Sequence, residues 1–161
     1  MKNNDQSTAY FKTPLGIAKI IGDQKGISVI SILAEGEISN EIPVILKEAV
    51  SQLTDYFDSK RTNFDFKLNP KGTDFQQKVW KALLEIPYGK TLSYMDLSKK
   101  LGDIKAIRAV ASANGKNPLW IVVPCHRVIG SDGSLTGYAG GLWRKKWLLE
   151  LENPTTQQSL F

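Results

Sequence analysis

The sequence predicts an α+β fold. A small N-terminal α/β domain over residues 1–70 precedes a mostly helical C-terminal domain over residues 73–152 that contains a helix-turn-helix. Two β-rich runs surround a polar turn before residue 34, whereas apolar residues recur at helical spacing after residue 73. The turn-rich stretch Asn69–Gly72 separates the two patterns. The mostly polar residues 153–161 are expected to form a flexible tail.

The N-terminal domain is predicted to be a scaffold. Ile17–Ile21 and Ile27–Leu33 predict a β-hairpin, because β-branched residues flank a Gly-containing turn. Residues 42–59 carry apolar side chains on one helical face, and aromatic residues alternate with polar ones over residues 64–68, which predicts a strand. No group of residues in this domain resembles a catalytic site.

Capping residues mark the helices of the C-terminal domain. Thr73 or Asp74 can cap its first helix, and Ser93 can cap a helix over Tyr94–Leu101 that ends at Gly102. The last helix is predicted over Leu142–Glu152, with Leu142, Trp147, Leu148 and Leu151 available for the core.

A second short helix, over residues 104–114 and capped by Asp103, completes the predicted helix-turn-helix. Lys105 and Arg108 are expected on or near its exposed face, and Ala106 and Ala109 belong to a face of small residues. An ordinary helical hairpin with solvated charges is the alternative interpretation.

The net charge of +5 lies in the second half of the chain. Up to Gly72 the sequence has nine basic and nine acidic residues, and after it twelve basic and seven acidic ones. A basic half favours contact with a polyanion such as DNA, although a solvated basic surface explains the count equally well.

The only cysteine, Cys125, stands next to the only histidine, His126, and Arg127. The apolar run Trp120–Val123 predicts a buried strand that ends just before them at Pro124. A neighbouring base or cation eases ionisation of a thiol to the nucleophilic thiolate. The alternative is an inert, buried cysteine. Five glycines within residues 130–141 favour a binding loop beside this thiol.

One cysteine excludes an intrachain disulfide and a cysteine-rich metal site. We expect a cytoplasmic protein, because a lone reactive thiol persists in a reducing compartment and no apolar signal or membrane-spanning run is visible.

Spaced motifs in the second half resemble the O6-alkylguanine-DNA alkyltransferase family. Pro124-Cys-His-Arg-Val128 matches the family's signature pentapeptide. The other matching motifs are Phe75–Trp80, Ile86–Gly89, Ser93–Tyr94, Arg108–Val110, Gly115–Pro118 and Gly137–Gly141. The resemblance is strong over residues 73–152 and looser over residues 10–70, where it implies a ribonuclease-H-like α/β domain.

The resemblance implies direct-reversal DNA repair. Cys125 would accept, irreversibly and once per molecule, a methyl or alkyl group from O6 of guanine after the base is flipped out of the duplex. O4 of thymine stays open as a further substrate. His126 would act as general base through a water, with Glu152 orienting it. Tyr94 would donate to the base, and Asn117 would brace the active-site turn.

The resemblance also implies how the lesion is reached. The helix-turn-helix would enter the minor groove, with Arg108 filling the vacated stack. The other residues implied in DNA contact are Lys105, Tyr94, Ser93, Ala106 and Ala109. The residues implied around the substrate pocket are Tyr138, Ala139, Gly140, Val128 and Arg127.

Two departures from the family pattern limit what is carried over. Ala139 stands where some members have serine, so its backbone N–H would have to contact O6. Some members bind zinc in the first domain, which here has no cysteine or histidine, so no metal or other cofactor is expected. We expect a monomer that binds double-stranded DNA and no membrane.

The last five residues, Gln157–Phe161, resemble the peptide with which bacterial repair proteins hold the sliding clamp, and this is a further hypothesis. Two alternatives to the repair enzyme stay open. One is a non-enzymatic alkyltransferase-like lesion-binding protein, although such proteins lack the acceptor cysteine. The other is a thiol hydrolase, which would leave the helix-turn-helix unexplained.

Overall fold

A computed structural model describes residues 6–135, 138 and 140–154. These residues form two compact units. The N-terminal unit extends to Lys71 and also includes Pro118–Trp120, whereas the C-terminal unit comprises Gly72–Asn117 and the described residues from Ile121 onward. Most of the predicted tail, including the clamp-like segment Gln157–Phe161, lies outside the described residues.

The N-terminal unit is built on a three-stranded antiparallel sheet in the order β1-β2-β3. Its strands are β1 (Ser7–Thr13), β2 (Gly16–Asp23) and β3 (Gly26–Leu33), and helix α1 follows at Val44–Phe57. The hairpin and the helix were predicted and are confirmed. Strand β1 was not predicted, and it pairs with β2 along its whole length.

The predicted strand over residues 64–68 is wrong. Only Leu68 makes a bridge, to Ile27, whose N–H donates to the Lys67 carbonyl over 2.9 Å. The alternating aromatics serve packing instead of a ladder, because the ring of Phe64 lies 5.5 Å from Tyr56 and 5.9 Å from Phe66.

The C-terminal unit contains four helices among its described residues, α2 (Asp74–Leu83), α3 (Tyr94–Lys100), α4 (Ile107–Gly115) and α5 (Leu142–Glu152). Two short strands, β4 (Leu92–Ser93) and β5 (Val128–Ile129), pair in parallel. The predicted N-caps Thr73 and Ser93 are confirmed. Thr73 forms a reciprocal capping box with Gln76, and the Ser93 hydroxyl accepts from the Asp96 N–H over 2.9 Å.

Two details of the predicted helices are wrong. The helix expected from residue 104 begins as a 3₁₀ turn over Ile104–Ala106, capped by Asp103, and α-helical geometry starts only at Ile107. Leu142 was expected in the core, but it is 49% exposed at the start of α5, where Gly141 turns the chain with a φ of 93°.

The predicted strand over Trp120–Val123 is also wrong, although its residues are buried as expected. Ile121 has a φ of 73°, a left-handed conformation that is costly for a β-branched residue and incompatible with a strand. The apolar residues of this run are therefore buried without forming a β-strand. No helix among the described residues is long and apolar enough to cross a membrane.

Candidate active site

The cysteine lies in a tight turn that the surrounding chain holds firmly. Pro124 leads into a 3₁₀ turn over Cys125–Arg127, and β5 begins at the next residue. Within the turn, the Cys125 N–H donates to the Val123 carbonyl over 2.8 Å. Because β5 pairs with β4, and β4 ends at the N-cap of α3, the thiol turn is tied to the start of α3.

The thiol of Cys125 is almost wholly buried, with 7% of the residue exposed. The Asn117 amide donates both to the Cys125 Sγ, over 3.3 Å, and to the Val123 carbonyl, over 2.6 Å. Burial raises the pKa of Cys125, whereas the Asn117 hydrogen bond and the charge of Lys145 lower it. Asn117 and Lys145 are therefore the two side chains that favour the thiolate, and a backbone hydrogen bond at Cys125 acts in the same direction.

His126, Arg127 and Glu152 form a buried hydrogen-bonded group beside the thiol. The Glu152 carboxylate accepts from His126 Nε2 over 2.6 Å, and from Arg127 Nε and Nη2 over 2.8 and 3.0 Å. Arg127 Nη1 also donates to the Ile86 carbonyl over 2.7 Å. Two parallel bonds from a guanidinium give the carboxylate a fixed orientation.

The charges in this group are set by one another. Burial alone would raise the pKa of Glu152, but the charges and hydrogen bonds of His126 and Arg127 hold it well below its usual range. Burial lowers the pKa of His126, against the opposing charge of Glu152. At neutral pH we therefore assign an ionised Glu152 and a neutral His126, whose charge acts on Glu152 only at acid pH.

This assignment fixes the proton on the imidazole ring. A carboxylate can only accept, so His126 Nε2 must carry the hydrogen and Nδ1 the lone pair. Nδ1 is buried and has no hydrogen-bond partner among the described residues. The histidine thus presents a free basic nitrogen in the interior of the unit.

The turn that follows α2 supports Glu152 from a distant part of the sequence. The Gly89 N–H donates to Glu152 Oε1 over 3.3 Å, and the Arg127 guanidinium lies 5.8 Å from the ring centre of Tyr88. Gly89 has a φ of 80°, and a Cβ there would lie 3.2 Å from the Glu152 carbonyl. Sequence reasoning used this stretch only as a helix stop and as a family motif.

Lys145 was missed as a functional candidate. It is fully buried, and its Nζ lies 5.9 Å from the ring centre of Tyr94 and 6.0 Å from that of Tyr138. Burial lowers the pKa of Lys145 to about 8, although the charge of Cys125 opposes this. Helical periodicity assigns a lysine to solvent, so the sequence offered no signal beyond its position in the first turn of α5.

Tyr94 lies at the first position of α3 and is half-buried. Its hydroxyl oxygen accepts a hydrogen bond from Asn114 Nδ2 over 3.3 Å. The structure therefore brings Tyr94, Tyr138 and Lys145 together, and places Asn117 on the thiol.

The residues expected to contact DNA lie around α3 and α4. Lys105, Arg108 and Ala109 are exposed, whereas Ala106 and Ser93 are partly buried. Of the expected pocket residues, Val128 is fully buried in β5 and Arg127 is 6% exposed. The Gly140 carbonyl accepts from Arg144 over 2.8 Å. Ala139 lies outside the described residues.

Comparison with known proteins gives the same family for both units. Residues 74–154 match the family model described as 6-O-methylguanine DNA methyltransferase, DNA binding domain. Residues 7–70 match the model of the ribonuclease-like domain of the same methyltransferase. The predicted fold class is thereby confirmed.

Individual relatives are similar over most of the chain. A methylated-DNA–protein-cysteine methyltransferase of Methanosarcina barkeri is 48% identical over 148 residues, covering 88% of this chain and 93% of the relative. The crystal structure of the Mycobacterium tuberculosis O6-methylguanine methyltransferase has a TM-score of 0.82 at 44% identity, covering 92% of this chain and 93% of that one.

A second M. tuberculosis structure, of this methyltransferase in complex with DNA, has a TM-score of 0.81 at 46% identity and covers 90% and 91% of the two chains. The family models together extend across both units and include the segment that carries the thiol. The chain belongs to the family of methylated-DNA–protein-cysteine methyltransferases.

Proposed function

We propose that this protein repairs DNA by moving a methyl or alkyl group from O6 of guanine to Cys125 Sγ, once per molecule. The observation that carries the proposal is the arrangement around the thiol. A nucleophile held by Asn117 lies in the same turn as a neutral imidazole that Glu152 orients. The DNA complex of the similar M. tuberculosis protein supports a DNA substrate.

In the proposed reaction, the sulfur attacks the alkyl carbon as the carbon–oxygen bond breaks. The electron pair of that bond stays on the guanine, which takes up a proton, and the product on the protein is a thioether. The thiol proton passes to His126 Nδ1 through a water, because no direct hydrogen bond joins Sγ to the imidazole among the described residues. The thioether has no evident reversal, so turnover stops at one equivalent.

Access to O6 requires the nucleotide to leave the base stack, at an unstacking cost of a few kcal/mol. We assign insertion from the minor groove to α4, with the exposed Arg108 as the side chain that fills the gap. We assign the flipped base to Tyr94 and to Tyr138, Ala139 and Gly140. O4-alkylthymine is proposed as a second substrate of the same pocket. The protein would act as a monomer in a reducing compartment, which preserves the free thiol.

The direct test is a peptide mass map after the protein is mixed with duplex DNA that contains O6-methylguanine. We expect the peptide with Cys125 alone to gain one methyl group, and the reaction to stop at one equivalent of DNA. Cys125→Ser should bind the same DNA without reacting. An unmodified thiol on DNA that stays bound would instead make the protein a lesion-binding protein and refute the transfer.

We also propose that Gln157–Phe161 binds a sliding clamp, a hypothesis supported only by the sequence of these residues. Removing them should abolish co-purification with the clamp while leaving methyl transfer unchanged. Unchanged clamp binding by the shortened protein would refute the proposal.

A further inference from the structure

Asn114 is a buried polar residue that the proposed reaction does not yet use. It lies in the last turn of α4 with 1% of its surface exposed. Its Nδ2 donates to the Tyr94 hydroxyl oxygen over 3.3 Å, and its Oδ1 is buried without a hydrogen-bond partner among the described residues. The hydrogen bond that the amide makes is therefore directed at Tyr94.

Packing does not explain an asparagine here. The other buried residues of α4, Val110 and Ala113, are apolar. Burying an amide with an unsatisfied oxygen costs free energy that an aliphatic residue of similar size would avoid. Such an unsatisfied group in a folded protein calls for a specific reason, and here the contact with Tyr94 supplies one.

The direction of this hydrogen bond restricts the hydroxyl. A phenol has one hydrogen to donate and an oxygen that can accept. Because Asn114 donates to the oxygen, the Tyr94 hydrogen must point to some other acceptor.

We propose that Asn114 is a positioning residue that fixes the direction of the Tyr94 hydroxyl hydrogen, so that this hydroxyl can donate to the flipped guanine. This inference rests on the proposed alkyl transfer. Negative charge develops on the guanine as its bond to the alkyl carbon breaks, and a donor held in place beforehand stabilises that charge without reorienting during the reaction. Without Asn114 the hydroxyl hydrogen has a wider range of directions, so the donor is aligned only part of the time.

The test is a double-mutant cycle measured as single-turnover methyl transfer from duplex DNA at saturating protein. The proteins are the unmodified chain, Asn114→Ala, Tyr94→Phe and the double variant. We expect Asn114→Ala to slow transfer about fivefold, the effect of one neutral hydrogen bond. In the Tyr94→Phe background the same change should have no further effect. Asn114→Ala should leave the affinity for DNA unchanged, both in the unmodified chain and in the Tyr94→Phe background.

Asn114→Leu is the second variant, because it keeps the side-chain volume and removes the donor. It should slow transfer as Asn114→Ala does and keep the thermal stability of the unmodified chain or exceed it. Equal slowing with and without the Tyr94→Phe change, or full activity of Asn114→Leu, would overturn the inference. An unmodified chain that transfers no methyl group would instead refute the proposed function itself.

Discussion

The imidazole of His126 and the carboxylate of Glu152 are joined by a 2.6 Å hydrogen bond between two side chains that have no exposed surface. The two residues are 26 positions apart in sequence, and Arg127 binds the same carboxylate. The bond fixes which imidazole nitrogen is free, so in the proposed transfer the base beside the thiol is oriented by a residue at the far end of α5.

Replacing Glu152 by glutamine should lower the free energy of unfolding by about 3–5 kcal/mol, because the buried Arg127 charge loses its partner. The pKa of Glu152 lies below its ordinary value of 4.5, so the stabilisation is complete above about that pH and is lost as pH falls further. Urea unfolding at several pH values below neutrality measures both effects. Glu150→Gln on the same helix is the matched control. If the free energy of unfolding of Glu152→Gln falls at acid pH as it does in the unmodified protein, groups other than Glu152 cause that fall.

His126 should determine how the transfer rate falls at acid pH. Burial lowers the pKa of His126 below its ordinary 6.5, so a neutral base remains available at pH values where a free histidine is protonated. We expect the transfer rate to hold as pH falls through 6.5 and to drop only below it. His126→Gln should be slower by about a hundredfold or more and lack this fall in rate. Single-turnover transfer rates measured against pH test this prediction. The same fall in rate at acid pH in the unmodified protein and in His126→Gln would exclude His126 as the base.

Lys145→Met should make Cys125 a weaker nucleophile. Losing the buried cation raises the pKa of the thiol, and each unit of increase reduces the thiolate fraction about tenfold. Ultraviolet absorbance of the thiolate against pH measures the shift directly. Because the pKa of Lys145 is about 8, the unmodified protein loses this charge as pH rises through that value. Lys146→Met is the neighbouring control, and an unchanged thiol titration in Lys145→Met would remove Lys145 from the mechanism.

Arg108→Ala should slow transfer from duplex DNA by about tenfold to a hundredfold, because the cost of unstacking the base, a few kcal/mol, is no longer offset. Transfer from the free modified base should be unaffected, because no stack has to be opened. Lys105→Ala, on the preceding turn, should weaken DNA binding in a salt-dependent way and leave the rate of bound complexes unchanged. Equal loss on both substrates would show that Arg108 supports the fold or the pocket instead.

Local chemistry made part of the fold predictable. Thr73 and Ser93 mark helix starts because each satisfies a backbone N–H that its own helix leaves unpaired. Trp120–Val123 misled because a fully buried turn and a buried strand are equally apolar. Strand β1 was missed although its alternate residues Ala9, Phe11 and Thr13 are buried, because only Phe11 among them is a large apolar residue.

The candidate site was predictable where it coincides with the unique Cys125 and His126. Gly89 approaches Glu152 from 63 positions away, a proximity that exists only in the folded chain. Lys145 and Asn114 were not predicted as site residues for a different reason. Polar residues on helices are assigned to solvent unless a buried partner is known, and here the partners are other site residues.

The return of Pro118–Trp120 to the N-terminal unit has a consequence for dissecting this protein. Ile30 of β3 exchanges backbone hydrogen bonds with this segment, 2.8 Å to the Pro118 carbonyl and 3.0 Å from the Trp120 N–H, and Leu119 has no exposed surface. A fragment beginning at Gly72 would carry these residues without their partner strand. A cut at Gly72 therefore does not separate the two units cleanly, since the stretch of chain between Asn117 and Ile121 has its hydrogen-bonding partner in β3.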